Sequence, residues 1–128
     1  MRKYKFFVKL QRIFKMRAAI VRMIQGLISA VLVTHIFACF WYLCARFDDL
    51  AYGTWVYNKG IVDEDNFVKY LYAMHWATQT VTTVGYGDVP AHSTQELLLS
   101  FVWMLVGVGF YSFIIGNFSS IITSNTAL

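Results

Sequence analysis

The chain has 128 residues, of which 58% are hydrophobic and only 14% are charged. A soluble domain carries about 25% charged residues, so this composition excludes an ordinary soluble fold and indicates a membrane protein. Eight of the eleven Lys and Arg residues lie in the first 22 positions, whereas all seven acids lie beyond them. This asymmetry predicts that the two parts of the chain lie on opposite sides of a barrier.

The basic segment, residues 1–22, comes first in the chain. Its charge is explained by retention on the cytoplasmic side of a membrane or by an amphipathic helix on an anionic leaflet. Lys9, Arg12 and Lys15 also recur every three residues with apolar residues between them, as in a voltage-sensing helix. We favour the topology interpretation, because a sensing helix needs partner helices beside it.

Two segments without a formal charge, residues 23–45 and 97–128, are long enough to cross a membrane, which takes about 20 apolar residues. Both must be helical, since lipid offers no hydrogen-bond partner to the backbone. Ser93 and Glu96 have the spacing of a capping box at the start of the second helix. The basic segment places both termini in the cytoplasm and residues 46–92 outside.

The external segment contains a short apolar helix. Phe67, Tyr70 and Leu71 follow a period of 3.6 residues, and the acids at 63–65 suit the start of a helix. A helix this apolar between two spans is expected to re-enter the membrane. Non-helical backbone at that depth, here residues 83–88, is tolerated where it is buried in protein or lines a watery path.

The loop at residues 83–88 reads TVGYGD. A potassium ion that leaves water needs other oxygens, which backbone carbonyls from a ring of chains supply. Aligning successive carbonyls requires left-handed residues, a conformation that Gly85 and Gly87 adopt without steric cost. Val84 and Tyr86 are expected to point away, toward the short helix. The predicted potassium-binding residues are Thr83, Val84, Gly85, Tyr86 and Gly87.

These loop residues resemble the selectivity filter of potassium channels. Further segments, HIFACFWYL at 35–43, Thr54–Val56, YLYAMHWAT at 70–78 and Gly116–Asn117, are similar to channels that carry cyclic-nucleotide-binding domains. That family includes cyclic-nucleotide-gated, hyperpolarisation-activated, ether-à-go-go and plant inward-rectifier channels. The resemblance covers about residues 10–122 and implies a homotetramer around one central pore.

The resemblance implies an all-α membrane protein with two transmembrane helices, a re-entrant pore helix and a filter loop. Its predicted segments are a basic cytoplasmic linker helix (1–22), an outer transmembrane helix (23–45), an extracellular turret (46–66), a pore helix (67–82), a selectivity filter (83–88), an inner pore-lining helix (93–122) and a cytoplasmic tail (123–128). We favour the pore module of a longer channel, which would add a voltage-sensor-like domain and a cyclic-nucleotide-binding domain. A two-span channel is the alternative.

By the same resemblance, five residues are expected to support the filter: His75, Trp76, Gln79, Thr82 and Asp88. Many potassium channels have an aromatic donor where His75 stands, and it binds the Asp that follows the filter. A contact between His75 and Asp88 would make the filter sensitive to external protons; the alternative is a histidine oriented elsewhere. Gln79 stands where some potassium channels have Glu, so a carboxylate pair with Asp88 is absent.

Gly107 and Gly109 lie in the middle of the second span, where each weakens the helix by about 1 kcal/mol relative to alanine. Gly107 falls at the position of the gating glycine of potassium channels. The two residues are therefore candidate hinge residues, with close helix packing by small residues as the alternative.

The sequence has no nucleophile, base and acid in a plausible relation, no metal-ligand spacing and no phosphate loop, so we expect neither an enzyme nor a nucleic-acid-binding protein. We expect no cofactor, with K⁺ as the permeant ion, and lipid as the surroundings. The predicted function is passive, potassium-selective conduction across the plasma membrane. A weakly selective cation channel and a non-conducting auxiliary subunit are the alternatives.

Overall fold

A computed structural model describes residues 1–126 of the chain, with side chains described through residue 123. Its helices are α1 (Arg2–Phe47), α2 (Trp55–Lys59), α3 (Asn66–Val81) and α4 (Thr94–Thr126). Helices are therefore the regular secondary structure of the described residues, and the predicted all-α class is confirmed. Residues 127–128, the end of the predicted cytoplasmic tail, lie outside the described residues.

Two of the helices, α1 and α4, are long and apolar enough to cross a membrane. α1 has 46 residues, more than twice the number that a bilayer core requires. It runs without a break from the basic segment into the first apolar segment, which the sequence analysis described as two separate helices. α4 has 33 residues and extends beyond position 122.

The chain divides into two compact units. The first consists of Met1–Ala30 together with the chain from Ser112 onward. Within it, α1 and α4 approach each other at Gly26, where a methyl group would lie 3.6 Å from Asn117 Nδ2 and 3.8 Å from Phe113 Cε1. A methyl group at Gly26 would therefore make ordinary van der Waals contacts with α4, so the two helices lie close together here without requiring glycine.

The second unit, Val31–Tyr111, is organised around stacked indole rings. Trp41 of α1 stacks on Trp76 of α3, with centroids 3.8 Å apart, and pairs with Trp55 of α2 at 5.8 Å. The Trp55 indole also donates to the carbonyl of Trp41 at 2.8 Å. Aromatic pairs of this kind add about 0.5–1.5 kcal/mol beyond their burial. The stack thus joins three helices.

A fourth tryptophan connects α4 to the same core. The Trp103 indole donates to the carbonyl of Ala77 on α3 at 3.0 Å, and its ring stacks on Phe37 of α1 at 4.2 Å. Trp103 is completely buried. α3 is therefore held against both long helices by indole side chains.

The face of α3 that these contacts bury is formed by Ala73, Trp76 and Ala77. It differs from the apolar stripe that the sequence pattern emphasised, because Phe67 remains 67% exposed and Leu71 49% exposed. Small residues on the buried face allow α3 to approach the indole stack closely. Phe67 and Leu71 are left on the outer surface of the chain.

The start of α4 contains the predicted capping box. Ser93 Oγ accepts from the Glu96 amide at 3.2 Å, and Glu96 Oε2 accepts from the Ser93 amide at 3.3 Å. Oε2 also accepts from the His92 amide at 2.9 Å. The other oxygen, Oε1, accepts from the amide of Trp55 at 2.9 Å. Glu96 is completely buried, and it joins α4 to a helix that the sequence did not predict.

That helix, α2, lies within the predicted turret. Thr54 caps its start, with Oγ1 accepting from the Tyr57 amide at 3.3 Å, and Gly60 ends it in the left-handed conformation with φ of 75°. These cap residues follow the usual preferences for helix ends. The turret is thus a folded segment anchored to α1 by Trp55 and to α4 by Glu96.

We expect Glu96→Gln to lower the thermal stability of the purified protein in detergent. The amide keeps the side-chain shape but has one acceptor oxygen in place of two, so a buried backbone N–H loses its partner, at about 1–3 kcal/mol. The matched control is Glu64→Gln, because Glu64 is exposed. Equal melting temperatures for the two variants would contradict the anchoring role of Glu96.

Candidate functional site

The site begins where α3 ends. Thr82 is the C-terminal cap of α3, with its hydroxyl and its amide both donating to the carbonyl of Thr78, at 2.7 and 3.0 Å. The chain then enters the loop at 83–88, which we call the filter loop. Gly85 and Gly87 have positive φ values of 61° and 74°, and the predicted left-handed conformations are therefore confirmed.

Thr83 is also left-handed, with φ of 66°, which the sequence analysis did not predict. The left-handed conformation costs a residue that has a Cβ about 1–2 kcal/mol. A threonine at this position therefore gives no indication of a left-handed backbone. Left-handed residues therefore alternate along the loop at 83, 85 and 87. Alternation of this kind turns successive backbone amides toward one side.

Gln79 of α3 accepts these amides. Its backbone carbonyl accepts from Val84 at 2.9 Å and from Gly85 at 3.1 Å. Its side-chain oxygen accepts from the amide of Tyr86 at 2.7 Å. Gln79 is buried, so three consecutive amides of the filter loop bind one protected residue. None of these three hydrogen bonds uses a carbonyl oxygen of the loop.

The predicted supporting residues His75, Gln79 and Asp88 lie together beside the loop. Gln79 Nε2 donates to Asp88 Oδ1 at 2.7 Å, while His75 Nδ1 lies 3.7 Å from Asp88 Oδ2. The His75 ring stacks on Tyr86 with a centroid separation of 6.0 Å. The direct hydrogen bond to Asp88 therefore comes from the glutamine, and the histidine is its neighbour.

The electrostatics of Asp88 follow from these contacts. The hydrogen bond from Gln79 lowers the pKa of Asp88 below its ordinary value, and the positive fields of His75 and Lys59 act in the same direction. A carboxylate that accepts such a bond is favoured in its charged form. Asp88 is thus held ionised at the C-terminal end of the loop.

Lys59 is a site residue that sequence reasoning missed. Its ammonium group donates to the backbone carbonyl of Asp88 at 3.0 Å and lies 5.5 Å from the ring centroid of Tyr72, within the range of a cation–π contact. Lys59 ends α2 immediately before Gly60. A lysine before a glycine indicates a helix end, but no pattern indicates a contact 29 residues away.

The remaining predicted residues lie around this cluster. Trp76 belongs to the indole stack behind the loop. A methyl group on Gly107 would lie 3.3 Å from Val81 Cα, whereas Gly109 has no neighbour within 4 Å of such a group. The contact at Gly107 favours the packing interpretation for that residue, and the hinge stays a prediction.

The outer surface of the filter loop is open in a single chain. Tyr86 is 71% exposed, although its ring faces His75 of α3 as expected. Val84 is 54% exposed, whereas the sequence analysis placed it against the short helix. A cavity of about 550 Å³ lies beside the loop, between it and the apolar side chains of Met104 and Val108 on α4.

The two long apolar helices are consistent with a membrane channel. The family model described as Ion transport protein matches residues 1–127. The chain belongs to this family. It is therefore a membrane protein of an ion-channel family. The prediction that it is not an enzyme is confirmed.

The chain is similar to several plant proteins. It is 29% identical over 109 residues to potassium channel AKT1 of Oryza sativa subsp. indica, which covers 84% of this chain and 12% of that protein. It is 32% identical over 95 residues to potassium channel AKT1 of Arabidopsis thaliana (73% and 11%). It is 31% identical over 124 residues to potassium channel AKT3 of Oryza sativa subsp. japonica (94% and 14%).

These matches confirm the predicted resemblance to a potassium-channel pore module. The chain spans between 11% and 14% of the length of these three relatives.

We expect Gln79→Leu to raise the pKa of Asp88 toward the ordinary aspartate value of about 3.9, because the bond that favours its charged form is lost. With the native lowered pKa, the stabilising contribution of Asp88 is complete above the ordinary value and is lost as pH falls through the lowered one. Carbon-13 NMR titration of the aspartate carboxyls checks this, with Gln25→Leu on the exposed face of α1 as control. An unchanged Asp88 titration in Gln79→Leu would contradict the assignment.

We expect Gly107→Ala and Gly109→Ala to have opposite effects. Both gain about 1 kcal/mol of helix propensity, but the new methyl group at 107 crowds the backbone of Val81, and overpacking costs about 1–3 kcal/mol. The melting temperature in detergent should rise for Gly109→Ala and fall for Gly107→Ala. A rise for both would show that α4 and the end of α3 separate easily.

Proposed function

We propose that this chain forms, with three further copies, a central pore that conducts potassium ions passively across a membrane. The observation that carries the proposal is the binding of the Val84, Gly85 and Tyr86 amides by Gln79. With these amides held on the α3 side, the alternating backbone leaves its carbonyls for the opposite side, where an ion that has lost its water needs oxygens.

The proposed ion sites are the backbone oxygens of residues 83–87, with the Thr83 hydroxyl as an additional ligand at the inner end. The oxygens of one chain surround only part of an ion, so a ring of chains is required. The exposed surface of the loop and the apolar cavity beside α4 are consistent with a surface that other copies cover. α4 would then line the inner part of the pore.

The proposed re-entrant position of α3 is supported by its contacts with both long helices. Tyr70 contacts His35, and Trp76 stacks on Trp41. His35 and Trp41 both lie in the apolar segment of α1. Ala77 binds Trp103 of α4. A short helix held at this depth presents its C-terminal, negative end to the inner cavity, which favours a cation there.

The proposed role of the residues behind the loop is to hold it in shape. Gln79 supplies the acceptors and links them to Asp88, while Trp76 and Thr82 fix the end of α3. His75 lies close enough to Asp88 for its protonation by external acid to change this network. Lys59 adds a bond from the turret to the Asp88 carbonyl.

The similar plant proteins are named potassium channels, which supports potassium as the permeant ion of this chain as well. We propose that the segment is the pore module of a longer, gated channel in the plasma membrane, with both ends of this segment in the cytoplasm. A voltage-sensor-like domain and a cyclic-nucleotide-binding domain are the expected further parts.

The purified chain in liposomes should carry potassium flux that exceeds sodium flux and that barium blocks. Gly85→Ala should abolish the flux, because a Cβ disfavours the left-handed conformation there. Gly53→Ala is the matched control: Gly53 is also left-handed, with φ of 96°, but lies in the turret, so flux should persist.

The alternatives give different results in the same assay. Equal potassium and sodium flux would indicate a weakly selective cation channel. No flux from a tetramer verified by cross-linking, in the wild type and in Gly109→Ser, which adds a polar side chain to α4 where no neighbour lies within 4 Å, would indicate an auxiliary subunit. Flux unaffected by Gly85→Ala would exclude the filter loop as the conduction path.

A further inference from the structure

A histidine and a cysteine lie together on α1, apart from the filter loop. His35 and Cys39 are four residues apart and therefore share one face of the helix. The Cys39 Sγ lies 3.7 Å from His35 Nε2. His35 is exposed on the single chain and Cys39 is half-buried. Neither residue has a part in the proposed conduction mechanism.

The orientation of the histidine ring is fixed from its other side. His35 Nδ1 is hydrogen-bonded to the hydroxyl of Tyr70 on α3, and the two rings pack edge to face. When Nδ1 carries the proton and donates it to Tyr70, Nε2 presents its lone pair to Cys39. Histidines that bind metals are oriented in this way by a hydrogen bond at the second nitrogen.

We propose that His35 and Cys39 bind a divalent cation of the zinc class. Zinc forms bonds of about 2.3 Å to sulfur and 2.0–2.1 Å to nitrogen, and tetrahedral geometry then separates the two ligand atoms by about 3.6 Å. The observed separation of Sγ and Nε2 agrees with this value. The two ligand atoms are therefore already at the separation that a shared ion requires.

The binding step replaces one proton with the metal ion. The thiol of Cys39 loses its proton to solvent as the metal–sulfur bond forms, and neutral His35 supplies the nitrogen. No third His, Cys, Asp or Glu joins the pair among the described residues, so water or chloride completes the coordination. The thiolate and one chloride neutralise the charge of the dication, which lowers the cost of placing it at membrane depth.

Cys44 provides a matched control on the same helix. It is also a half-buried free cysteine, but Phe40, one turn before it, has no ligand atom, and its charged neighbours are the carboxylates of Asp48 and Glu96 rather than a histidine. A metal that binds any accessible thiol would use both cysteines, whereas the proposed site depends on Cys39 alone.

The test is a cobalt titration of the purified full chain in detergent with a non-chelating reductant. Cobalt(II) bound to a thiolate gives a charge-transfer absorption, which should saturate at one cobalt per chain and disappear when zinc is added. The band should be lost in Cys39→Ser, Cys39→Ala and His35→Gln, and it should persist in Cys44→Ser. Tyr70→Phe should weaken binding by about 10–100-fold.

The absorption reports metal binding without any flux, so its outcome is independent of the proposed conduction. Absence of the band at millimolar cobalt would overturn the proposal, as would its persistence in both Cys39 variants or its loss in Cys44→Ser. Circular dichroism of each variant shows whether the helices are retained, and Cys39→Ser is the least disruptive of the set.

Discussion

The structure of the site depends on the hydrogen bonds between Gln79 and the filter loop. Three consecutive amides, from Val84, Gly85 and Tyr86, donate to the two oxygens of this one residue. Each such hydrogen bond contributes about 0.5–1.5 kcal/mol, so three bonds to one residue hold the loop in this conformation while Gln79 stays in place. The same side chain donates to Asp88, and therefore both ends of the loop are held by α3. The proposed ion sites are a consequence of this arrangement, because carbonyls point away from the side on which the amides are bound.

Gln79 can do this only because α3 itself is rigidly placed. The indole of Trp76 stacks on Trp41 of α1, and the indole of Trp103 from α4 binds the carbonyl of Ala77. Large planar side chains give much contact area with few rotatable bonds, which suits a helix that must stay in one position between two others. Apart from these indole contacts, the Glu96 side chain accepts from the first amide of α2, and Lys59 donates to the carbonyl of Asp88. The turret is thereby connected to the start of α4 and to the C-terminal end of the filter loop.

Features with a local cause could be predicted from the sequence. The two long helices follow from uncharged apolar segments, the capping box at Ser93 and Glu96 from side chains three residues apart, and the left-handed Gly85 and Gly87 from the lack of a Cβ. Features that depend on partners distant in the chain could not be predicted. Left-handed Thr83 contradicts its residue type and persists because the neighbouring loop amides are bound by α3. The buried face of α3 was also decided by its partners, since the small residues face the indole stack and Phe67 faces outward.

The sequence by itself determined the class of the protein, its helical composition and the six residues of the filter loop, since these depend on hydrophobicity, local spacing and backbone preference. Tertiary structure alone decided which side chains act on that loop. It made Gln79 the hydrogen-bond donor to the Asp88 carboxylate, with His75 beside that carboxylate at 3.7 Å. It also brought Lys59 to the loop from 29 residues away and placed Tyr70 against His35. The physical reason is that a hydrogen bond depends on distances of about 3 Å between atoms, and only the packing of helices far apart in the chain sets such distances.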